Sequence, residues 1–333
     1  MTEVSIIIPV FQVSDYIERC IRSVIGQTYK DIECIIIDDR TLDDSIEKCN
    51  KLIGEYDGPI KFQILHHNVN QGLSAARNTG TRVATGSYIF YLDADDVITL
   101  DCIERLMEIA LENPESEMII GNIQMISGDD KKNIVQDGTL PSQIKSPNEI
   151  VALYHKKQIP GYAWNKLIKR SFLDQHLLHF KEGIIFEDFL WMFYVVKYLS
   201  NICYYDKITY LYYVRPGSIF TSSDDLTTGS SFRIIYDEIL HHLTKGRERI
   251  ELNRYVTGFC KCYYKYVEDI PMYENLYDLF LTKSKEHRSW RCYTILVFVG
   301  FIGKFGHPLG LLSFLKSVRS INRFFKRSNN EDV

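Results

Sequence analysis

The 333 residues carry 39 Lys and Arg against 43 Asp and Glu, a net charge of −4, with 45% hydrophobic and 25% charged residues. This is the balance of a folded chain long enough for one large or two ordinary domains, and it excludes disordered and fibrous classes. A mildly acidic total also argues against a surface devoted to nucleic acid, because neutralising phosphates takes clustered Lys and Arg. Eight scattered cysteines without Cys-x-x-Cys spacing read as reduced thiols. The residues from Met1 to Pro9 have no basic n-region, so no signal peptide is expected. The longest apolar run, Tyr293 to Ile302, is too short to span a bilayer.

In chain order, the β-branched run Val4 to Val10 predicts a strand, and Asp15 to Gln27 has the helical apolar spacing of Ile17, Ile21 and Val24. A strand at Ile32 to Ile37, a helix from Leu42 to about Ile53, a strand near Ile60 to His66, a helix from Leu73 to Ala84 and a strand at Tyr88 to Leu92 continue the alternation. Alternating elements with uniformly apolar strands predict an α/β fold with a parallel sheet covered on both faces. The stretch Ser127 to Asn148 reads as a surface excursion, Trp164 to Phe172 and Phe189 to Leu199 as helices, Ile202 to Val214 as β-rich, and the chain from about Ser230 onward as mostly helical.

In open α/β sheets ligands sit beyond the carboxyl ends of the strands, so the polar residues there carry the chemistry. Asp93, Asp95 and Asp96 end a strand, and carboxylates gathered there repel unless something positive lies among them. Oxygen donors without nearby His or Cys select a hard ion, Mn2+ or Mg2+, which usually completes its shell with phosphates. Helix capping is the competing reading of the same residues. Asp38 and Asp39 follow the second strand, where a carboxylate can accept hydrogen bonds from a ribose or a base. No glycine-rich dinucleotide fingerprint follows the first strand, and no P-loop motif is present.

Together the blocks Val4-Ser5-Ile6-Ile7-Ile8-Pro9-Val10, Ile36-Ile37-Asp38-Asp39, Asn70-Gln71-Gly72-Leu73-Ser74-Ala75-Ala76-Arg77-Asn78-Thr79-Gly80 and Leu92-Asp93-Ala94-Asp95-Asp96 resemble a bacterial family-2 glycosyltransferase. The resemblance extends through Trp164-Asn165-Lys166-Leu167, Phe186-Glu187-Asp188 and Tyr212 to Ile219, then fades. It implies a GT-A fold, a Rossmann-like, mostly parallel sheet flanked by helices, with a helical C-terminal extension. It divides the chain into a catalytic domain at 1–221, a helical region at 222–290 and a basic tail at 291–333. Within the catalytic domain the nucleotide-sugar half is about 1–100 and the acceptor half about 101–221.

The resemblance also implies roles. Pro9 and Val10 line the base pocket, Asp39 binds uracil or ribose beside Asp38, and Arg77 approaches the nucleotide. Asp93 and Asp95 form a DXD motif, with Asp95 the direct ligand of Mn2+ or Mg2+ on the diphosphate. Asp188, beside Glu187, matches the catalytic base, and Lys166, Arg215 and Ser218 fall in segments that meet diphosphate or acceptor. Two departures stand out: Arg40 replaces a glycine of the usual Asp-Asp-Gly-Ser-Thr run, and Phe11-Gln12 replaces Tyr-Asn.

The implied reaction is an inverting, metal-dependent transfer from a nucleotide-sugar, UDP-linked in this reading, to a hydroxyl of a glycan or polyprenyl-linked acceptor in surface polysaccharide synthesis. A nucleotidyltransferase would want a glycine-rich basic loop after the first strand, which Pro9 to Gln12 does not supply. A catalytically silent nucleotide-sugar-binding subunit would need neither a DXD nor a base. From Arg288 to Arg327 there are eight basic residues and no Asp or Glu, and a helical projection separates Leu311, Phe314, Leu315, Val318, Ile321 and Phe325 from Lys316, Arg319 and Arg323. That pattern fits a helix lying on an anionic membrane surface, with packing against the protein as the alternative. The expected location is the cytoplasm, peripheral on the inner face of the plasma membrane.

Overall fold

The computed structural model describes residues 3–127, 130–134, 140–215, 225–266, 272–289 and 291–296. The chain divides into two compact units, residues 1–223 and 224–333. The first unit opens with β1 (Val4–Val10), α1 (Ser14–Ile25), β2 (Ile32–Asp38), α2 (Ser45–Gly54), β3 (Lys61–His66), α3 (Leu73–Val83) and β4 (Tyr88–Tyr91). It continues through β5 (Val97–Ile98), α4 (Cys102–Glu112), β6 (Met118–Ser127), β7 (Asp130–Ile134), β8 (Gln143–Ile144) and α5 (Pro147–His155). The remaining elements are β9 (Lys166–Lys169), α6 (Arg170–Gln175), α7 (Glu187–Tyr198) and β10 (Ile202–Tyr213).

One sheet runs in the order β3-β2-β1-β4-β9-β6-β10-β5, with β7 added at β6 and β8 at β10. The β3-β2-β1-β4 half is parallel, as the alternation of strands and helices requires. Beyond it, β9 is antiparallel to both β4 and β6, so the sheet is mixed. Successive side chains on a strand point to opposite faces. Ile6, Ile8 and Ile36 therefore join a core with α1, α2 and α4, while Ile7, Ile35 and Ile37 join a second core with α3, α5 and α7. Both faces being covered, the strands read as continuous apolar runs.

Two expectations are corrected. Trp164 to Phe172 was read as a helix, but it holds β9 and the start of α6. Leu167 and Ile168 pack into opposite cores, a strand alternation too short to be told from a helical turn. The region from Ser127 to Asn148, read as a surface excursion, contributes β7, β8 and the first residues of α5 to the unit.

The second unit holds α8 (Asp225–His241), α9 (Glu248–Tyr266) and α10 (Met272–Glu286). Their shared core includes Tyr236, Phe259 and Phe280, with the rings of Phe259 and Phe280 stacked at 4.8 Å. No helix among the described residues is long and apolar enough to cross a membrane. Of the basic tail only residues 291–296 are described, and the amphipathic segment from Leu311 lies outside the described residues. All eight cysteines are free thiols.

Close packing of α3 on β1 yields a paired prediction. A Cβ at Gly80 would stand 2.4 Å from Ile7 Cγ2, whereas one at Gly54 would meet nothing within 4 Å. Gly80→Ala is expected to cost about 1–3 kcal/mol through overpacking. Gly54→Ala, at the end of α2, is expected to be neutral or to gain up to about 1 kcal/mol from lost unfolded-state entropy. Urea denaturation of the two variants measures both signs.

Candidate active site

The polar residues at the carboxyl ends of the parallel strands converge as the strand order predicts. Pro9 and Val10 close β1 and are buried, with Val10 in register with Asp38 at the end of β2. Asp38 accepts a hydrogen bond from the Thr41 amide at 2.8 Å and pairs with His66 Nδ1 at 2.8 Å. Asp39, only 3% exposed, accepts from the amides of Gln71 at 2.8 Å and Gly72 at 2.7 Å, and meets His67 Nδ1 at 2.7 Å. Its carboxylate thus fixes the loop that starts α3, where Gly72 has φ +88°. This is a scaffold under the expected nucleoside pocket. His66 ends β3 and His67 follows it, so the rule that singles out the ends of the other strands points to them equally.

The two departures from the family motif fall where the backbone is left-handed. Arg40 has φ +61° and Gln12 has φ +52°, a region that glycine and asparagine tolerate best. The Gln12 amide donates to Thr41 Oγ1 at 2.8 Å, joining the two loops. The left-handed backbone at Arg40 carries a strain of order 1–2 kcal/mol.

Arg77 lies at the centre, 1% exposed on α3. Its guanidinium donates to Asp93 Oδ1 at 2.7 Å and to Glu187 Oε1, and stands 5.3 Å from the centre of the Phe180 ring. Burial alone would lower its pKa, but Asp93, Glu187 and Asp188 outweigh that and raise it. Arg77 therefore ties the end of β4 to the start of α7. Phe186, the residue before α7, has φ +61°, a strained position for an aromatic side chain.

Glu187 is buried and committed to Arg77, while Asp188 beside it remains partly exposed. Burial pushes the Asp188 carboxyl up to about 7, Glu187 adding to the shift and Arg77 opposing it. Lys166 is fully buried on β9, its Nζ donating to the carbonyls of Tyr162 and Trp164 and lying 4.1 Å from the Tyr162 ring centre. Burial pulls its pKa down to about 7 against the charge of Asp188. Lys166 is thus engaged with its own loop and lies in the electrostatic field of Asp188. Trp164 stacks on Tyr162 at 3.7 Å and on Tyr210 at 4.4 Å. Two parallel rings so close to the indole centre cannot share one face, so both faces of Trp164 are covered and it offers no free platform for a sugar.

The turn after β4 answers the question of charge. Asp95 Oδ2 accepts from Arg215 Nε at 2.5 Å, and Asp93 is held by Arg77. Asp96 is buried, accepting from the Tyr210 hydroxyl and the Tyr213 amide at 2.8 Å each, and burial with the charges of Asp95 and Asp93 raises its pKa well above the usual range. The positive charge among the carboxylates includes the protein's own guanidiniums. Arg19 of α1, which its helical spacing alone did not mark, adds another: Nη2 donates to the Asp95 carbonyl at 2.5 Å. Among the described residues no group of three or more His, Cys, Asp or Glu side chains could hold a metal by itself. Asp95 and Asp93 still fit a Mn2+ or Mg2+ ion that takes one or two carboxylates and completes its shell from phosphate oxygens. Ser218 lies outside the described residues.

A parallel half-sheet followed by antiparallel β9, with an acidic turn after β4 and an acidic start to α7, is a GT-A architecture, and solved structures agree. Staphylococcus aureus TarS 1–349, solved with UDP-GlcNAc, matches with a TM-score of 0.66 at 16% identity, covering 88% of this chain and 90% of that one. The mannosyltransferase PcManGT of Pyrobaculum calidifontis, solved with GDP-Man and Mn2+, matches with a TM-score of 0.55 at 13% identity, covering 97% and 88%. The family model for glycosyl transferase family 2 matches residues 5–177, and the chain belongs to that family. The poly(ribitol-phosphate) beta-N-acetylglucosaminyltransferase TarP of Staphylococcus aureus strain N315 is 31% identical over 259 residues, 74% of this chain and 73% of TarP. Glycosyltransferase GlyA of Streptococcus pneumoniae serotype 4 is 30% identical over 224 residues, 65% of this chain and 31% of GlyA. The chain spans under a third of GlyA's length.

Removing Arg77 tests the junction. Arg77→Met leaves Asp93 and Glu187 without their shared partner, and loss of a buried ion partner costs about 3–5 kcal/mol. Chemical denaturation against wild type is expected to show that loss. A change below about 1 kcal/mol would mean that the carboxylates are compensated elsewhere.

Proposed function

We propose that the protein is an inverting, metal-dependent glycosyltransferase that moves a sugar from a UDP-linked donor to a hydroxyl of a glycan or lipid-linked acceptor in cell-surface polysaccharide synthesis. The observation that carries this reading is the division of labour at the start of α7: Glu187 is committed to Arg77, and Asp188 is left partly exposed with its pKa near neutrality. TarS was solved with UDP-GlcNAc, which supports the UDP part, and TarP is named for a poly(ribitol-phosphate) polymer, which supports the polymer part.

Pro9, Val10 and the loops fixed by Asp38 and Asp39 form the nucleoside side of the site. Asp95 and Asp93 would hold the divalent ion, which when bound would supply positive charge against that developing on the leaving diphosphate. Arg215 supplies further positive charge at that end, and Arg77 carries the fixed charge between the two acidic centres. Asp188 accepts the proton of the incoming hydroxyl as the oxygen attacks the anomeric carbon from the side opposite the diphosphate. A single displacement inverts the anomeric centre.

Two outcomes check this. Asp188→Asn is expected to lower turnover at least about 10²-fold with little change in donor affinity, because a base acts on the acceptor proton in the transition state. In wild type the base must be ionised, so turnover is expected to fall as pH drops through about 7. Transfer assays with a UDP-sugar panel and Mn2+ measure both. Full activity of Asp188→Asn would remove it from the role of base.

A further inference from the structure

We infer that Arg19 is a positioning residue for the acidic turn, holding the Asp95 backbone in place when the Asp95 carboxylate is engaged by a divalent ion and diphosphate. This inference rests on the proposed function and names one more residue of the same site.

Four groups of the turn are held by different elements. Arg77 of α3 holds the Asp93 carboxylate, Tyr210 and Tyr213 of β10 hold the Asp96 carboxylate, and Arg215 holds the Asp95 carboxylate. The fourth is the Asp95 carbonyl, which accepts from Arg19 Nη2 at 2.5 Å. The neighbouring Cys20 Sγ reaches the Asp93 carbonyl at 3.7 Å, so α1 meets the turn main chain at two points.

These contacts differ in what ligand binding does to them. Arg215 occupies Oδ2 of the Asp95 carboxylate, so an ion on that carboxylate either takes the other oxygen or displaces Arg215, and in both cases it acts on the group that Arg215 holds. The Arg19 contact is to the carbonyl and leaves both carboxylate oxygens alone, so it can persist in both situations. The Arg19 guanidinium is fixed in turn: it lies 3.7 Å from the Tyr213 ring centre and 5.0 Å from that of Tyr16. Its buried Nε makes no hydrogen bond, so the side chain is placed by stacking and by the Asp95 carbonyl. Tyr213 donates its own amide to Asp96, so Arg19 rests on a residue that is itself tied to the turn. The last helical turns of α1 carry buried Cys20, Ile21 and Val24, which anchor the side chain to a rigid element.

A residue that orients a metal ligand without touching the metal typically changes affinity or activity 10- to 100-fold when lost. The test is direct binding of Mn2+ to the full chain at saturating UDP, by titration calorimetry and by loss of the free Mn2+ signal in electron paramagnetic resonance, so that no turnover is needed. Arg19→Met is expected to weaken Mn2+ uptake at least about tenfold while UDP binding without metal stays within about twofold. Arg19→Lys, which keeps one donor and the charge, is expected to fall between Met and wild type. A purely structural residue would lower the unfolding temperature without moving the Mn2+ affinity of the folded protein. If Arg19→Met does not fold, Arg19→Lys decides alone: weakened uptake supports the assignment and wild-type uptake overturns it. Wild-type uptake by both variants overturns it likewise. Failure of wild type to bind Mn2+ with UDP would remove the metal dependence from the proposed function, and this assignment with it.

Discussion

A guanidinium that is 1% exposed survives only if its charge is matched, because an isolated ion in the protein interior costs several kcal/mol. Arg77 finds its matches at two places far apart in sequence, Asp93 at the end of β4 and Glu187 at the start of α7. Neither carboxylate can leave without stranding the cation, and the cation cannot leave without stranding both. The separation between the acidic turn and the acidic helix start is thereby set by one planar side chain. In the proposed reaction those are the donor end and the acceptor end of the site. Glu187 is consumed by this arrangement, which is why the adjacent Asp188 is the carboxyl left for proton transfer.

The loops after β2 and β3 are held by carboxylates in the same way, with backbone amides and imidazole rings as their partners. Asp38 and Asp39 spend their oxygens on backbone amides of Thr41, Gln71 and Gly72 and on the rings of His66 and His67. The two adjacent carboxylates lock together the loops after β2 and β3, Thr41 Oγ1 joins the loop after β1 to them, and the left-handed residues Gln12, Arg40 and Gly72 lie in these three loops. Strain at non-glycine positions persists only where surroundings over-determine the backbone. The cross-links through Thr41 and Asp39 supply that constraint.

Much of this was legible in the chain. The parallel half of the sheet could be read because buried parallel strands are continuous apolar runs separated by amphipathic helices. The positions of Asp38, Asp39, Asp93 and Asp95 follow from that order. What stayed hidden depends on pairing across long separations. Lys166–Lys169 is four residues of strand between β4 and β6, and nothing local distinguishes it from a helical turn. Arg19 looked like one polar position of an amphipathic helix, and only the approach of the Asp95 carbonyl gives it meaning. The repulsion among the acidic residues was readable, but its local relief by Arg77 and Arg215 was not, since those residues are 16 and 120 positions away from Asp93 and Asp95.

In the proposed reaction Arg77 engages Glu187 and leaves Asp188 to drive a single displacement. The stereochemistry of the first product tests this. Proton NMR of the protein with an α-linked UDP-sugar and diamagnetic Mg2+, with water standing in for the acceptor, reports the anomeric coupling of the released sugar before mutarotation. The β anomer is expected to appear first. Initial release of the α anomer would mean retention and would rule out a single displacement driven by Asp188.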